Sequence, residues 1–452
     1  MNQPEDVEVI LSHKHKYRFH SGVLARHSSL LAEMLTERCA AQLSNKAIRA
    51  GIKIRWRIAL TRIPSNAMPA GKLELVQLDS MGEPLDYHNG LVVNENGRVP
   101  LKVFDHYEAV FYAFYAKDLT IADDDMSVAL IEAIDIIDVA EYLGCMPVIS
   151  KPIEVTLLKH GQTLFRAIQA SPWGWVDMAC RIKSEVIFKE AVIHLSGNWR
   201  KIKSDREAIK RLRDCPEMVI QLCEQQHRAL IVKGKGLELA LASLYPGGMA
   251  VPSEHLPIRR EEYAKDVLVW MALTFFRHWL SQRIISEKGS AAPDGGFELY
   301  SQIGQAGEAY MDKHVVNQFH TKFPMTKKAI HVLENHLLEI KECMKGLVES
   351  HGILASTCQL DIHRYPVDYI TCAQLEKGDY PWVGEGVVGE GAGNTRRLGG
   401  NEIVQRNREI SRRFAEVEAN RARQQEYRED DEEEEEQEGG DGERRAKRGR
   451  YE

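Results

Sequence analysis

Hydrophobic and polar positions alternate, then change period, within the first 41 residues. Val7, Val9 and Leu11 alternate with Glu8 and Ser12, interrupted by Ile10. A polar HKHK turn follows, and Tyr17 and Phe19 then alternate with Lys16, Arg18 and His20. Period-two alternation predicts two half-buried strands joined as a hairpin. From Ser21 the period lengthens: Val23, Leu24, Leu30, Leu31, Met34 and Leu35 make one apolar stripe at helical spacing. Ser21 or Gly22 is the expected N-cap.

The same reading continues down the chain. KIRWRIALTRI (53–63) places Ile54, Trp56, Ile58 and Leu60 on one side and Arg55, Arg57 and Thr61 on the other, a strand with a basic outer face. That face reads either as edge protection, with Arg62 beside it, or as a partner surface. KLELVQLD (72–79) predicts a second strand, and the Gly-, Asn- and Pro-rich 80–100 a loop. In 128–143 only Glu132, Asp135, Asp138 and Glu141 interrupt the apolar residues, one narrow wet stripe on a helix buried around most of its circumference. Helical patterns then run over 152–170, 174–195, 204–213, 215–231, 235–245, 261–285, 297–318 and 326–349. In the last of these Ile330, Leu333, Leu337, Ile340, Met344 and Leu347 are spaced 3-4-3-4-3, which fits either a coiled-coil seam or the core face of a bundle helix. Residues 351–383 are irregular but carry Tyr365, Tyr380 and Trp382, aromatics able to pack on the helical region.

Three of these stretches, in order, resemble a BTB (POZ) domain. The residues that carry the resemblance are Asp6 and Val7 in the first strand, Phe19 and His20 closing the second, and Val23, Leu24 and Ser28 on the helix. To these add Tyr115 in DHYEAVFYAFYAKDLTI (105–121), and Ala140 and Leu143 in ALIEAIDIIDVAEYLGC (129–145). The resemblance implies a protein-binding domain over 1–150 that forms homo- or heterodimers and, in some members, docks on a cullin-type ubiquitin-ligase scaffold. Two features depart from the family pattern. Ser21 follows His20 where many relatives carry a basic residue that pairs with the first-strand aspartate, and residues 42–100 stand as an insertion.

Charge changes the picture at the C-terminus. Residues 429–452 hold 12 Asp/Glu and 5 Lys/Arg, so the chain's net charge of −7 resides there and the other residues carry 54 of each sign. The body has no global field for nucleic acid, and no sequence-specific nucleic-acid contact is expected. Residues 384–400 read as a Gly-rich linker, 401–428 as an Arg/Glu-rich helix, and 429–452 as a disordered tail, acidic and then basic. The basic end, with Arg444, Arg445, Lys447, Arg448 and Arg450, is a candidate nuclear-import segment. The nucleus is therefore the expected location, with the cytoplasm as alternative. No secretory signal opens the chain, and the apolar run VLVWMALTFF (267–276) is too short to cross a bilayer, so no membrane partner is expected. Cys39, Cys145, Cys180, Cys215, Cys223, Cys343, Cys358 and Cys372 show no CxxC pairing and read as reduced, mostly buried thiols.

No chemistry-bearing motif meets its structural requirement. Gly384, Gly386 and Gly389 fit GxGxxG by letter but lack the flanking strand and helix. Cys343, Cys358, His363 and Cys372 lack zinc-ligand spacing. His331 and His336 are five apart and do not share a helix face. The expectation is an α+β protein: a BTB-like domain over 1–150, a mostly helical region over 151–383, and a charged tail. Its function is that of a non-enzymatic protein-interaction adaptor, with no catalytic residue, metal or cofactor. The alternatives are a nuclear chromatin- or transcription-associated factor that uses the tail, and a cullin-type substrate adaptor.

Overall fold

Strands β1 (Val7–Ile10), β2 (Lys16–Phe19), β3 (Trp56–Arg62) and β4 (Lys72–Val76) form one sheet in the order β2-β1-β3-β4. In this computed structural model the described residues are 4–383 without 63, 66, 86–101, 122–124, 213–214 and 245–266. The linker, the Arg/Glu-rich segment, the acidic run and the basic end from Arg444 to Arg450 lie outside them. β1 pairs antiparallel with β2, with Val7 opposite Phe19, and parallel with β3, with Val7 opposite Trp56. β3 pairs antiparallel with β4. The stretch 42–100 thus supplies β3, a central strand, together with β4. Val7, Val9, Trp56, Ile58, Leu60 and Leu73 are buried, the inward residues of the expected alternation.

The first turn of α1 (Ser21–His27) departs from the expected cap. His20 is the N-cap and makes no side-chain cap bond. Ser21 is already helical, because Asp6 Oδ1 accepts its N–H at 2.7 Å and Asp6 Oδ2 accepts its hydroxyl at 2.7 Å. The apolar stripe is then shared with α2 (Ser29–Met34), capped by Ser28, whose Oγ accepts the Leu31 N–H at 3.1 Å.

A short helix α3 (Asn45–Arg49) precedes β3. Helices α4 (Lys102–Ala113) and α5 (Met126–Leu143) supply buried side chains to the sheet's core. Phe19 meets Phe111 at 5.0 Å, Tyr107 donates to the Ala70 carbonyl at 2.7 Å, and the Leu73 N–H donates to Tyr142 Oη at 2.8 Å. Three of the four acids of α5 meet cations, Glu132 with Lys102 at 3.2 Å and both Asp138 and Glu141 with Arg181, while Asp135 lies 4.0 Å from the His106 ring. Of the basic residues around β3, Arg57 pairs with Glu8 and Arg55, just before the strand, with Glu37, each at 2.6 Å.

Beyond α5 the chain is helical: α6 (Met146–Leu158), α7 (Gln162–Ala170), α8 (Pro172–Ile182), α9 (Glu185–Gly197), α10 (Trp199–Ser204), α11 (Arg206–Leu212) and α12 (Glu217–Ser243). After the undescribed 245–266 come α13 (Val267–Ile285), α14 (Phe297–Gln305), α15 (Lys313–Lys322) and α16 (Lys327–His351). Three expected helices are divided and two are fused. The pattern over 152–170 breaks at Gly161, 174–195 at Lys183 with φ 55°, and 297–318 at Ala306-Gly307 with φ 53° and 51°. Residues 217–243 form one helix, and Gly234 inside it serves a close approach: a Cβ there would lie 2.8 Å from Ser290 Cβ and 2.9 Å from Tyr300 Oη.

Two cores result. The first joins the sheet, α1, α2 and α4–α11 to the start of α12; the second joins the rest of α12 to α13–α16. Of the six residues of the expected stripe, Leu333, Leu337, Ile340 and Met344 are buried in the second core against α13 and α14, and Ile330 and Leu347 are half-buried. No helix of the described residues is long and apolar enough to cross a membrane.

Burial sets an acid sensitivity. His227 is buried, and its Nδ1 donates to the Ser196 carbonyl at 2.9 Å. Burial pushes the pKa of His227, and of His106 beside Asp135, below the ordinary histidine value. A histidine whose folded pKa is depressed binds its proton preferentially in the unfolded chain. Stability is therefore full above about pH 6.5 and is lost as the pH falls below it. Urea midpoints at pH 7.5 and 5.5 should differ in that direction, and His227→Asn should reduce the difference. An unchanged difference would assign the acid sensitivity elsewhere.

Candidate functional site

After α16 the chain returns as an irregular strap of turns and bends, residues 353–383, between the two cores, with one short 3-10 turn at Lys377–Asp379. Its neighbouring side chains divide between them: Tyr369 enters the first core and Ile370 the second. The strap passes against the C-terminal end of α9, where Gly197 leaves room: a Cβ there would run into the Ile370 carbonyl and the Tyr369 ring. Further along, Tyr380 and Trp382 close over Phe188, at 5.6 and 5.3 Å between ring centroids.

A sealed polar network holds the strap to α9. Glu190 Oε2 accepts the Gln359 N–H at 2.6 Å, and Oε1 accepts the Leu360 N–H at 3.0 Å. His194, one turn on, lies 3.3 Å from Glu190 through Nε2 and 2.9 Å from Tyr369 Oη through Nδ1. A carboxylate only accepts, so Nε2 carries the hydrogen and Nδ1 accepts from the tyrosine. Burial pushes the Tyr369 pKa upward, so the phenol stays protonated. Glu190 and Tyr369 are each 1% exposed and His194 is 0% exposed. With every acid and base satisfied inside, the network positions backbone and offers no group to a substrate.

The open feature lies on the other side of the strap. Two clefts, of about 590 and 560 Å³, flank α14 and share Phe297, Ser301 and Gln305. The spacing i, i+4, i+8 puts those three on one helix face, so the clefts form one groove along it. One end is apolar, with Val348 from α16 and Leu354, Ala355 and Ile362 from the strap. The other end is charged: Lys201 pairs with Asp368 at 2.6 Å, and Lys288 lies 4.0 Å from Glu298. Asp294 fixes the start of α14, Oδ1 accepting from the Gly296 N–H at 3.0 Å and Oδ2 from the Glu298 N–H at 2.8 Å. Beneath the groove Glu238 on α12 accepts from Ser290 N and Oγ and from Tyr300 Oη at 2.5, 3.2 and 2.8 Å. The groove thus sits on a pre-ordered floor and offers an apolar wall beside fixed charges.

The residues singled out in the sequence lie elsewhere, around the sheet. Asp6 binds Ser21, so the aspartate has polar partners without a basic neighbour. His20 N and Nδ1 each lie 3.1 Å from Tyr115 Oη, and Phe19 stacks on the Tyr115 ring at 6.0 Å. The Ser28 hydroxyl donates to the Leu143 carbonyl at 2.5 Å. Val7, Phe19, Val23, Leu24, Ala140 and Leu143 are buried. Arg444, Arg445, Lys447, Arg448 and Arg450 lie outside the described residues, as does the glycine run from Gly384. No group of three or more metal-ligating side chains occurs among the described residues. Cys358 bonds Ser356 at 2.8 Å, Cys372 faces Lys233 at 3.5 Å, and His336 pairs with Glu339 at 3.0 Å.

The sequence reading missed both the network and the groove. Glu190 and His194 do carry a signal, an acid and a histidine four apart on the otherwise apolar face of α9. The face of α14 was obscured by merging 297–318 into one helix across Ala306-Gly307.

Residues 246–351 match the family model of the FF domain. The match covers well under half of the chain and includes α13–α16, hence the α14 face and Val348 of the groove wall. No curated protein and no solved structure matches the chain. The BTB resemblance of the N-terminal part is corrected: no BTB model matches, and the family that does match lies in a different part of the chain. The physical reason is that the resembling residues are mostly those any hairpin-plus-helix needs to close a core. Val7, Phe19, Val23, Leu24, Ala140 and Leu143 are specified by burial, which many unrelated folds impose at the same spacing.

Proposed function

We propose that this chain is a non-enzymatic interaction scaffold whose partner-binding part is the helical module of α13–α16 and the strap. The observation that carries the reading is the FF-domain match over 246–351, since FF domains are protein-interaction domains. The groove along α14 supports it, because it is open and joins an apolar wall to charged side chains. The sealed Glu190–His194–Tyr369 network argues against housing chemistry at the seam. The N-terminal sheet and its helices serve as the body on which the strap is anchored. Nuclear residence carried by Arg444–Arg450 belongs to the same proposal, so partners are sought in nuclear and cytoplasmic fractions alike.

The test uses the full chain. Ser301→Arg with Gln305→Arg blocks the groove from one half-buried and one exposed position of α14, neither of them a member of the two cores. The double variant should fold as wild type by circular dichroism and lose most of its bound partner in affinity purification. An unreduced yield of partner would remove the groove from the proposal.

A further inference from the structure

We propose that Lys233 and Cys372 form an oxidant-driven nitrogen–oxygen–sulfur bridge that locks the strap to α12. Lys233 Nζ lies 3.5 Å from Cys372 Sγ and 2.9 Å from the Gly352 carbonyl, its two hydrogen-bond partners on the returning chain. The sulfur is held as firmly as the nitrogen. Thr357 Oγ1 donates to the Ala373 carbonyl at 2.6 Å and the Thr357 N–H donates to the Thr371 carbonyl at 3.0 Å, so the residues on both sides of Cys372 are pinned. All the cysteines are free thiols. Cys372 is 5% exposed, which shields it from bulky thiols, and Lys233 beside it is half-buried. Burial pushes the Cys372 thiol pKa up, and the Lys233 charge opposes that rise.

The reaction balances with two equivalents of hydrogen peroxide. In the first, Cys372 sulfur attacks one peroxide oxygen, the O–O bond breaks, and sulfenic acid and one water result. In the second, Lys233 first gives its ammonium proton to solvent, and its nitrogen and the sulfenic oxygen then become joined by a new N–O bond. Nitrogen and sulfenic oxygen each give up one hydrogen, the amine is oxidised by two electrons, and the peroxide is reduced to two waters. The product adds one oxygen to the chain and removes two hydrogens. It ties residue 233 to residue 372, where now only hydrogen bonds hold them.

The experiment treats the purified full chain with hydrogen peroxide and reads intact mass and the tryptic map. The expected result is a species heavier by one oxygen less two hydrogens, a tryptic peptide joining Lys233 to Cys372, and loss of both on treatment with dithiothreitol. Lys233→Arg, which keeps the charge and the hydrogen-bond donors, and Cys372→Ser should each abolish it. Cys358→Ser, on the same strap, should leave it intact and shows that the strap tolerates a lost thiol. Addition of whole oxygens to Cys372 with Lys233 unmodified, or recovery of Cys372 as the free thiol, would overturn the proposal.

Discussion

Glu190→Ala should destabilise the chain by about 3–5 kcal/mol, the range for removing one partner from a buried charged network. The carboxylate accepts from the Gln359 and Leu360 N–H groups and lies beside His194 Nε2, all within the protein. Alanine would leave two backbone donors and an imidazole without their acceptor, and each buried unsatisfied donor costs about 1–3 kcal/mol. No compensating gain is available, since the methyl group fills little of the space left. The loss should be local before it is global: hydrogen exchange at Gln359 and Leu360 should accelerate ahead of exchange in the sheet. Glu190→Gln should cost less, because it keeps one acceptor oxygen, but it turns an NH2 toward a backbone N–H. Urea unfolding of the three proteins gives the order wild type, Gln, Ala. A change within about 0.5 kcal/mol for Ala, the range of ordinary surface substitutions, would mean the network does not hold the strap.

The second large effect is expected at Lys341. This lysine of α16 is 3% exposed and donates to the Gly307 carbonyl at 2.6 Å and the Met311 carbonyl at 3.0 Å. Its Nζ stands 5.3 Å from the Tyr310 ring centroid, and that ring stacks on Trp279 at 4.5 Å. It fastens the turn between α14 and α15, where Ala306, Gly307 and Met311 all adopt positive φ. Two opposing terms decide the outcome of Lys341→Met. Burial disfavours the charge and lowers the lysine pKa, so removing the charge relieves a cost. Against that stand two charge-assisted hydrogen bonds, each worth about 1.5–3 kcal/mol, and two carbonyls left unsatisfied. The hydrogen bonds outweigh the charge burial, and a net loss of about 2–3 kcal/mol is expected. Exchange at the amides of 306–312 should rise with it. A neutral or stabilised Lys341→Met protein would show that charge burial dominates.

How far the sequence reveals this molecule depends on which physical signal each part leaves. The strands around Val7–Ile10, Lys16–Phe19 and Trp56–Arg62 were legible because one buried face imposes alternation. Helix α5 was legible because burial around most of its circumference leaves only four acids on the remaining stripe. The parallel pairing of β1 with β3 was not legible, since alternation fixes faces and says nothing of neighbours. The break at Lys183 left no residue signal, because a left-handed lysine looks like any other lysine in sequence. The expected break between 231 and 235 falls inside a continuous helix, where Gly234 is required by the approach of Ser290 and Tyr300. The strap's aromatic residues suggested packing on the helices. Its place between two cores depends on contacts as distant as Glu190 with Gln359, which no local pattern encodes. The BTB resemblance failed for a related reason: core-forming residues report that a core exists, and are poor witnesses to which fold encloses it.

The most direct measurement compares three full-length chains in quantitative affinity purification from the same cells. They are wild type, the groove variant Ser301→Arg/Gln305→Arg, and a control altered at the sheet edge, Arg18→Glu. If the helical module and strap carry the partner, wild type and Arg18→Glu retain the same bound proteins and the groove variant loses them. Retention by the groove variant together with loss in Arg18→Glu would place binding on the N-terminal sheet and contradict the account.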